Sequence, residues 1–265
     1  MQIHQLLCFG RRPGTGNAAL VVERGPAGSA ERQAFATAQN KSACVFLDAS
    51  DDAHAPWLLD YYYPHAQSPL CLHASLACAH VLFAQAPAQA GGHLAIRTRL
   101  RGQLLALHRR GGALFVGLHA QSVPAVALAP HLPAALFHGG IDLVAAPVLA
   151  SVGSPKLLLE VAGRAALDAL APDLPAIMAW GRAHGVGGCY VYCRVGEGEY
   201  AGRNFNHLDP AAEDSATGVA AGALSLHLGR ALTLYQGSAQ PCVMHTSVEG
   251  DSVLVGGATE IVAFG

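Results

Sequence analysis

Two segments of this chain have the composition of helices but show almost no polar face. They are LHASLACAHVLFAQ, residues 72–85, and SATGVAAGALSLHL, residues 215–228. A surface helix carries one polar face, so a helix that is apolar all round must be enclosed. The small Ala, Gly and Ser side chains suit close wrapping by a sheet. The pattern predicts an α+β fold with two lobes of similar size, each a curved sheet around a central apolar helix.

The remaining segments alternate strand and helix signals, and the second half repeats the theme of the first. Three consecutive runs, HLAIRTRLRG, QLLALHRRG and GALFVGLH, predict an antiparallel meander closed by Gly-rich turns. The Pro/Ala-rich stretch 121–136 is the predicted junction. We therefore expect an N-terminal lobe over 1–120 and a C-terminal lobe over 121–265, with a last strand that could return to the N-terminal lobe.

Local signals set the expected helix boundaries. Ser29 is the predicted N-cap of AERQAFATAQN. Pro172 and Pro175 are expected to break the helical pattern of RAALDALAPDLPAIMAWGRAHG. EDSATGVAAGALSLHLG predicts one helix closed by Gly229. LVAAPVLA and SVLVGGATEIVAF each predict strand structure.

Composition excludes several function classes. Of 265 residues, 52% are hydrophobic and 13% charged, which supports a well-buried core. A formal charge of −2 without a basic stripe argues against nucleic acid and anionic membranes as partners. No apolar run approaches the ~18 residues of a membrane span, and MQIHQLLCFGRRPG does not predict a signal peptide. The seven scattered cysteines indicate a reduced, cytoplasmic setting.

The starts of the two enclosed helices are the candidate site. The first four N–H groups of a helix lack partners within it, and the helix dipole adds positive charge there. If both starts open onto a cleft between the lobes, they form an anion-binding site on both walls. His73 and Asp214 stand at these two starts.

Four segments, in order and at suitable spacings, resemble the phenazine-biosynthesis PhzF-like family, whose fold is shared with diaminopimelate epimerase and proline racemase. They are similar to the family's GNP-A-VV, PLCGHATLA, EDPATGSA and QG-x-A segments. In this chain they read TGNAALVV (15–22), PLCLHASLACAHVL (69–82), RNFNHLDPAAEDSATGVAAGAL (203–224) and YQGSA (235–239).

The resemblance implies a diaminopimelate epimerase-like fold of two pseudo-symmetric lobes, each with a mostly antiparallel sheet and with the active site between them. It also implies a cofactor-free acid–base isomerase that is commonly a homodimer. In the best-understood member, a glutamate of an SET-A-F motif shuttles a proton on a small carboxylated ring. The histidine of CGHAT and the aspartate and serine of EDPATGS assist it. His73 and Asp214 match that histidine and aspartate.

The chain departs from the family pattern at several of these positions. Ala43, in SACVF, stands where the family has its glutamate, and Val219 stands where it has the last serine. Gln67 replaces the acid of the PxxE lead-in, and Leu72 replaces the glycine before the histidine. A methyl group cannot exchange a proton, so the family's base is excluded in this chain.

His73 and Asp214 are the expected catalytic pair. An imidazole titrates near neutral pH, and a carboxylate can orient it. The alternative is a solvated pair of helix-cap residues, since aspartate is an ordinary capping residue.

The thiols near these positions have competing interpretations. In the related epimerases a thiol at the position of Cys71 abstracts a proton, but the partner position here is Thr217, which argues against a two-thiol racemase. PhzF-like sequences usually carry this cysteine, so buried packing is favoured for Cys71. Cys44 could replace the lost base, yet strand alternation turns it away from the face of Ala43. A zinc site of Cys71, His73 and His65 matches no tetrahedral spacing, and packing is also favoured for Cys189 and Cys193. No metal is expected.

Further residues are expected to contact substrate or to close local structure. Asn17 could hold a carboxylate or close a turn, Glu213 could contact substrate or lie solvated, and Arg203 could pair an anionic substrate or lie at the surface. The expected substrate-binding set is Asn17, Ala43, Cys71, Arg203, Glu213, Thr217, Gly218 and Val219.

Two functions are compatible with these residues. The first is a cofactor-independent isomerase, with cyclase or dehydratase chemistry as variants, acting on a small carboxylate-bearing metabolite in the interlobe cleft. The second is a catalytically silent binding protein, suggested by the losses at Ala43 and Val219 and the added bulk of Leu72.

Overall fold

The computed structural model describes residues 1–85, 92–206, 213–237 and 241–264. The chain forms two compact units, Met1–Leu118 with Leu254–Gly265 (unit 1) and His119–Val253 (unit 2). The stretch 121–136, expected as the junction, lies just inside unit 2. No helix among the described residues is long and apolar enough to cross a membrane.

Unit 1 is a mostly antiparallel sheet with a central helix. The elements are β1 (Gln2–Cys8), β2 (Asn17–Glu23), α1 (Ser29–Gln39), β3 (Ala43–Ala49), β4 (Trp57–Tyr62), β5 (Gln67–Ser68), α2 (Leu72–Gln85), β6 (His93–Thr98), β7 (Leu104–Arg110), β8 (Ala113–His119) and, at the C-terminus, β19 (Thr259–Val262). Strand β1 pairs antiparallel with β2 and β19, and β3 pairs antiparallel with β4. The pairs β2–β3 and β4–β6 are parallel. Strands β6, β7 and β8 form the predicted meander.

Helix α2 is enclosed, as its composition predicts. It contacts β1, β2, β3, β7 and β19. Nearly all of its residues from Leu72 to Phe83 are buried, including the polar Ser75. Small side chains such as Ala74 and Ala77 let the strands approach the helix closely. Burial on every side explains why this helix needs no polar face.

The strands of unit 2 also pair in a mixed, parallel and antiparallel pattern. The elements are α3 (Leu132–Leu136), β9 (Phe137–His138), β10 (Val148–Ala150), β11 (Lys156–Glu160), α4 (Arg164–Asp168), β12 (Ala171–Pro172), α5 (Leu174–His184), β13 (Cys189–Gly196), β14 (Glu199–Phe205), β15 (Glu213–Asp214), α6 (Gly218–Leu228), β16 (Thr233–Gln236), β17 (Cys242–Glu249) and β18 (Ser252–Gly257), which continues into unit 1. Strand β11 pairs antiparallel with β10 and parallel with β13. Strand β14 pairs antiparallel with β13 and parallel with β16, and β16 pairs antiparallel with β17.

The two faces of the unit 2 sheet have different partners. Leu157, Cys189 and Phe205 lie on one face, in an apolar cluster that includes Ile177 of α5. Since side chains alternate along a strand, the intervening residues face the other way. Helix α6, which contacts β10, β11 and β17, covers that second face. The second face carries the polar residues described below.

The two units repeat one order of elements. The succession β2–α1–β3–β4–β5–α2–β6–β7 in unit 1 corresponds to β11–α5–β13–β14–β15–α6–β16–β17 in unit 2, where α4 and β12 are inserted between β11 and α5. The parallel and antiparallel pairings are the same. The segments that lead into α2 and α6 therefore hold equivalent places. Both follow a two-residue strand, β5 or β15.

Two local helix predictions are corrected by the structure. Ser29 is the first residue of α1, and Gly28 is its N-cap, where the Glu31 carboxylate accepts the Gly28 N–H over 3.3 Å. Pro175 lies within the first turn of α5 and does not break it. A proline is tolerated there because the N–H it lacks would have no partner in the helix.

The strand and helix around Asp214 also differ from the prediction. Glu213 and Asp214 form β15, paired with Phe205 and Asn204, and α6 begins only at Gly218. Gly229 closes α6 as expected, with a φ of 64°. Within LVAAPVLA only Val148–Ala150 forms a strand, β10. The predicted strand SVLVGGATEIVAF is two strands, β18 and β19, separated by Ala258. The Ala258 carbonyl accepts the Phe9 N–H over 2.8 Å.

Candidate functional site

The carboxylate of Asp214 organises the entry into α6. Thr217 Oγ1 donates to Asp214 Oδ2 over 2.5 Å, and the Ala216 N–H donates to Oδ1 over 3.4 Å. The side chain therefore closes a turn in the backbone before the helix, as aspartate commonly does. A negative charge is favourable there because helix N-termini carry partial positive charge.

Gln236 of β16 ties this turn to the sheet. Its Nε2 donates to the Asp214 carbonyl over 2.6 Å and to Thr217 Oγ1 over 3.0 Å. Its Oε1 accepts the Thr217 N–H over 3.1 Å. Gln236 is fully buried. A buried amide whose donors and acceptor are all used fixes its neighbours in one arrangement.

Tyr190 of β13 extends the same network. Its hydroxyl donates to Gln236 Oε1 over 3.3 Å. Burial raises the pKa of Tyr190 well above 10, so the hydroxyl stays protonated and acts as a donor. Gly202 of β14 leaves the space that this hydroxyl needs, since a Cβ at position 202 would lie 2.1 Å from it.

Two further polar side chains are buried in unit 2. Lys156 at the start of β11 is 3% exposed, and its ammonium group donates to the Gly187 carbonyl. Asn204 is fully buried beside Asp214 in the strand register, and within the described residues neither of its side-chain polar atoms has a hydrogen-bond partner. Such groups are costly in a purely structural core.

A cavity of about 470 Å³ in unit 2 is lined in part by Asp214 and Gly202. Arg203 and Glu213 also line it, and they bind each other: Arg203 Nη2 lies 2.8 Å from Glu213 Oε2, and Nε lies 3.0 Å from Oε1. Arg203 Nη1 donates to the Leu167 carbonyl over 3.0 Å. Both residues, predicted as substrate contacts, therefore form an ion pair in the cavity wall.

The start of α2 in unit 1 is built around a thiol and an imidazole. Cys71 Sγ lies 3.4 Å from His73 Nδ1, and Cys8 Sγ donates to the His73 carbonyl over 3.2 Å. His73 is 8% exposed. Ser75 Oγ donates to the Cys71 carbonyl over 2.9 Å and is itself 2.6 Å from the Tyr61 hydroxyl. These contacts hold His73 at the second residue of the helix.

Ala43 and Cys44 lie in adjacent places on β3 and are both buried. Cys44 packs in an apolar cluster with Leu20, Phe46 and other side chains. Burial, with a smaller contribution from nearby Cys71, raises the pKa of Cys44 to about 12. Its thiol is therefore uncharged at neutral pH, and its surroundings are those of a packing residue. Asn17 is also buried, as the first residue of β2, where it pairs with Cys8.

Metal-ligand clusters are not found in the described part of the chain, where no group of three His, Cys, Asp or Glu side chains has a suitable arrangement. Cys189 and Cys193 lie in the apolar cluster of unit 2.

The predicted residues of unit 2 are thus brought together at one place. Asp214 and Thr217 are hydrogen-bonded, Gly218 and Val219 open the helix, and Arg203 and Glu213 lie on the adjoining cavity. Residue-by-residue reasoning missed the buried polar set of Lys156, Tyr190, Asn204 and Gln236. The available signals were the glutamine of YQGSA and a lysine placed before an apolar strand.

Comparison with known proteins places the chain in a family. The family described as phenazine biosynthesis-like protein, PhzC-PhzF, matches residues 7–252. An uncharacterised isomerase of Pseudomonas aeruginosa is 28% identical, over 100% of this chain and 97% of the relative. The solved structure of a predicted epimerase from the same organism is 26% identical, with a TM-score of 0.78 over 98% of this chain and 96% of that one.

The fold is shared more widely. A PhzF family protein of Enterococcus faecalis has a TM-score of 0.75 at 21% identity, over 98% of this chain and 96% of that chain. At this identity the likeness concerns the α+β fold. The match over residues 7–252 spans both repeated units, and the chain belongs to the phenazine biosynthesis-like (PhzC-PhzF) family.

Proposed function

We propose that this chain is a cofactor-independent isomerase that acts by acid–base chemistry on a small carboxylate-bearing metabolite. The observation that carries the proposal is the Asp214 carboxylate, anchored by Thr217 at the start of α6 and lining a cavity of about 470 Å³. The names of the relatives, an isomerase and a predicted epimerase, support the reaction type.

His73 is the proposed proton-transfer group. It is an imidazole at the start of the enclosed helix α2, held by Cys71 and Cys8. Imidazole exchanges protons efficiently near neutral pH because its ordinary pKa lies close to that range. Asp214, held by two hydrogen bonds, orients or polarises the substrate. The family pattern has both a histidine and a glutamate for proton transfer. Since position 43 is alanine here, the proposal leaves His73 as the one proton-transfer group of this chain.

The loss of that second group favours reactions that need a single proton donor. A cyclisation or dehydration needs fewer proton-exchanging groups from the protein than an isomerisation with a proton transfer on each side of the substrate. The substrate itself can supply the base. We include these as variants of the isomerase proposal. The proposal also includes a cytoplasmic location and a homodimer. Light scattering during size-exclusion chromatography would measure the molar mass and so check the homodimer.

Solvent deuterium incorporation tests the proposal even while the substrate is unidentified. The protein is incubated in D₂O with a panel of small carboxylates: amino acids, hydroxy acids and partly reduced aromatic acids. Proton exchange at carbon then appears as a mass increase of the metabolite, and isomers, cyclised or dehydrated products appear by chromatography. Conversion that disappears in His73→Asn and in Asp214→Asn would support the proposal.

Matched controls separate chemistry from folding. His80→Asn changes another histidine of α2, which binds Thr259 Oγ1 over 2.8 Å. Asp251→Asn changes an exposed carboxylate of unit 2 that does not line the cavity. Both controls should keep the activity. If a carboxylate binds and raises the melting temperature but no carbon-bound hydrogen exchanges and no product forms, the chain is a binding protein and the isomerase proposal is wrong.

A further inference from the structure

Gln236 of β16 is a buried amide that the proposed chemistry does not use. It is fully buried and is hydrogen-bonded to Asp214, Thr217 and Tyr190 at the start of α6. Because the side chain is covered, it is not placed to contact a substrate. Its influence on the site must therefore pass through the residues that it holds.

The two ends of the Gln236 amide are distinguished by their backbone partners. The Asp214 carbonyl oxygen only accepts hydrogen bonds, so the atom 2.6 Å from it must be the nitrogen Nε2. The Thr217 N–H only donates, so the atom 3.1 Å from it must be the oxygen Oε1. The orientation of the amide therefore follows from two backbone groups whose roles are fixed.

This orientation fixes the hydrogen of the Thr217 hydroxyl group. Gln236 Nε2 is a donor only, so Thr217 Oγ1 is the acceptor in their 3.0 Å contact. The hydrogen of the hydroxyl is then left for its other partner, Asp214 Oδ2, at 2.5 Å. The Tyr190 hydroxyl donates to Oε1 at the other end of the amide, which strengthens Nε2 as a donor. The hydrogen bonds therefore run in one direction, from Gln236 through Thr217 to Asp214.

Asp214 is held on three sides by these contacts. Its Oδ2 accepts the Thr217 hydroxyl, its Oδ1 accepts the Ala216 N–H over 3.4 Å, and its carbonyl accepts Gln236 Nε2. Bonds to both carboxylate oxygens and to the carbonyl restrict rotation of the side chain and of the backbone that carries it. A fixed orientation matters because a small misplacement of a group that acts on a substrate slows the reaction strongly.

We propose that Gln236 is a positioning residue for Asp214: it directs the Thr217 hydroxyl hydrogen onto the carboxylate and so holds that carboxylate in the orientation used on the substrate. This inference rests on the proposed function for the role of Asp214. The direction of the hydrogen bonds can be determined on the protein alone.

The substrate-free test is neutron diffraction from crystals of the fully deuterated protein, which locates the deuterium atoms. The deuterium of the Thr217 hydroxyl should lie between Oγ1 and Asp214 Oδ2. The two on Gln236 Nε2 should point at the Asp214 carbonyl and at Thr217 Oγ1. A Thr217 deuterium that points at Gln236, or an amide turned the other way round, overturns the proposal.

The functional test removes the Thr217 hydroxyl while it keeps the shape of the side chain, using the metabolite identified by deuterium incorporation. Thr217→Val should lower kcat/KM on the order of ten- to a hundredfold, as expected for the loss of a hydrogen bond to a charged group. Thr217→Ser keeps the hydroxyl and should stay within about threefold of the wild type. Equal losses in the two variants would show that the hydroxyl is not what matters, and the proposal would be wrong.

Gln236→Met tests the amide itself. It should lower kcat/KM by a similar factor, because the Thr217 hydroxyl and the Asp214 carbonyl both lose their donor. Combined with Thr217→Val, it should cost less than the product of the two separate losses, since the two side chains act on Asp214 as a unit. Full activity in Gln236→Met, or losses that multiply in the double variant, would contradict the proposal.

Thr246→Val is the matched control for a merely structural role. The Thr246 hydroxyl is also buried in unit 2, where Oγ1 lies 2.8 Å from Ser225 Oγ and accepts the Leu232 N–H over 2.9 Å. This variant should lose stability in urea and keep its kcat/KM. A loss of kcat/KM as large as that of Thr217→Val would reduce both effects to stability and overturn the proposal. If no metabolite is converted, the proposed isomerase fails, whereas the neutron structure still decides whether Gln236 directs Thr217 onto Asp214.

Discussion

At the scale of single residues, the interior of unit 1 contains an ion pair that the sequence does not reveal. Arg32 of α1 is 3% exposed and Asp60 of β4 is 2% exposed, with Nη1 and Oδ2 3.0 Å apart. Arg32 also pairs with Asp48 at 2.9 Å and lies over the Phe46 ring. A buried arginine with two carboxylates locks α1 onto the sheet.

Asp60→Asn should lower the free energy of unfolding by about 3 kcal/mol, because it leaves the Arg32 charge buried with one partner fewer. Urea denaturation at pH 7 measures the change. Asp168→Asn is the matched control, since its arginine partner Arg164 lies on the same exposed helix and Asp168 is 53% exposed. The prediction is wrong if the two variants unfold at the same urea concentration.

At the scale of secondary-structure elements, the Tyr190 ring of β13 lies close against β14 because Gly202 has no side chain. In Gly202→Ala, the added Cβ would lie 2.1 Å from the Tyr190 hydroxyl oxygen. The buried ring must shift, the hydrogen bond to Gln236 breaks, and we expect a loss of about 2 kcal/mol. Chemical denaturation would show it.

Gly196→Ala provides the comparison on the neighbouring strand. There the added Cβ would meet the tip of the Glu199 side chain at 2.7 Å, and a flexible carboxylate can move aside. This variant should keep nearly full stability. Equal losses in the two variants would mean that the fit between Gly202 and Tyr190 is not the cause.

How much of each element could be predicted depends on how local its determinants are. Helix α2 has the bounds that its composition predicts, Leu72–Gln85, because an enclosed helix is defined by its own residues. Strand β15 was missed because its pairing with Asn204 and Phe205 is set by a distant strand. Lys156 was overlooked for the same reason: only the register of β11 and β13 shows which face it shares with Tyr190.

At the scale of the whole molecule, Lys156 makes the stability of the folded chain depend on pH. Its pKa is about 8 when folded and near 10.5 in an exposed lysine. Between these values the unfolded chain binds more protons than the folded chain, so this group's contribution to stability rises with pH. Below pH 8 the cost of burying the charge is fully present.

Lys156→Met should therefore stabilise the chain at pH 7 by up to ~3 kcal/mol, and the advantage should shrink to nothing by pH 10.5. Urea denaturation of both proteins at pH 7, 8.5 and 10 measures the difference. A gain that is independent of pH would show that the methionine improves packing instead of removing a charge.

All seven cysteines are buried, and the two units hold separate sets of them: Cys8, Cys44, Cys71 and Cys78 in the first, Cys189, Cys193 and Cys242 in the second. A thiol reagent can reach any of these sulfurs only when the surrounding structure opens. The native cysteines thus report local opening of the structure, with one set in each unit. Peptide mapping after timed alkylation would read the opening rate of each half separately, without introduced labels.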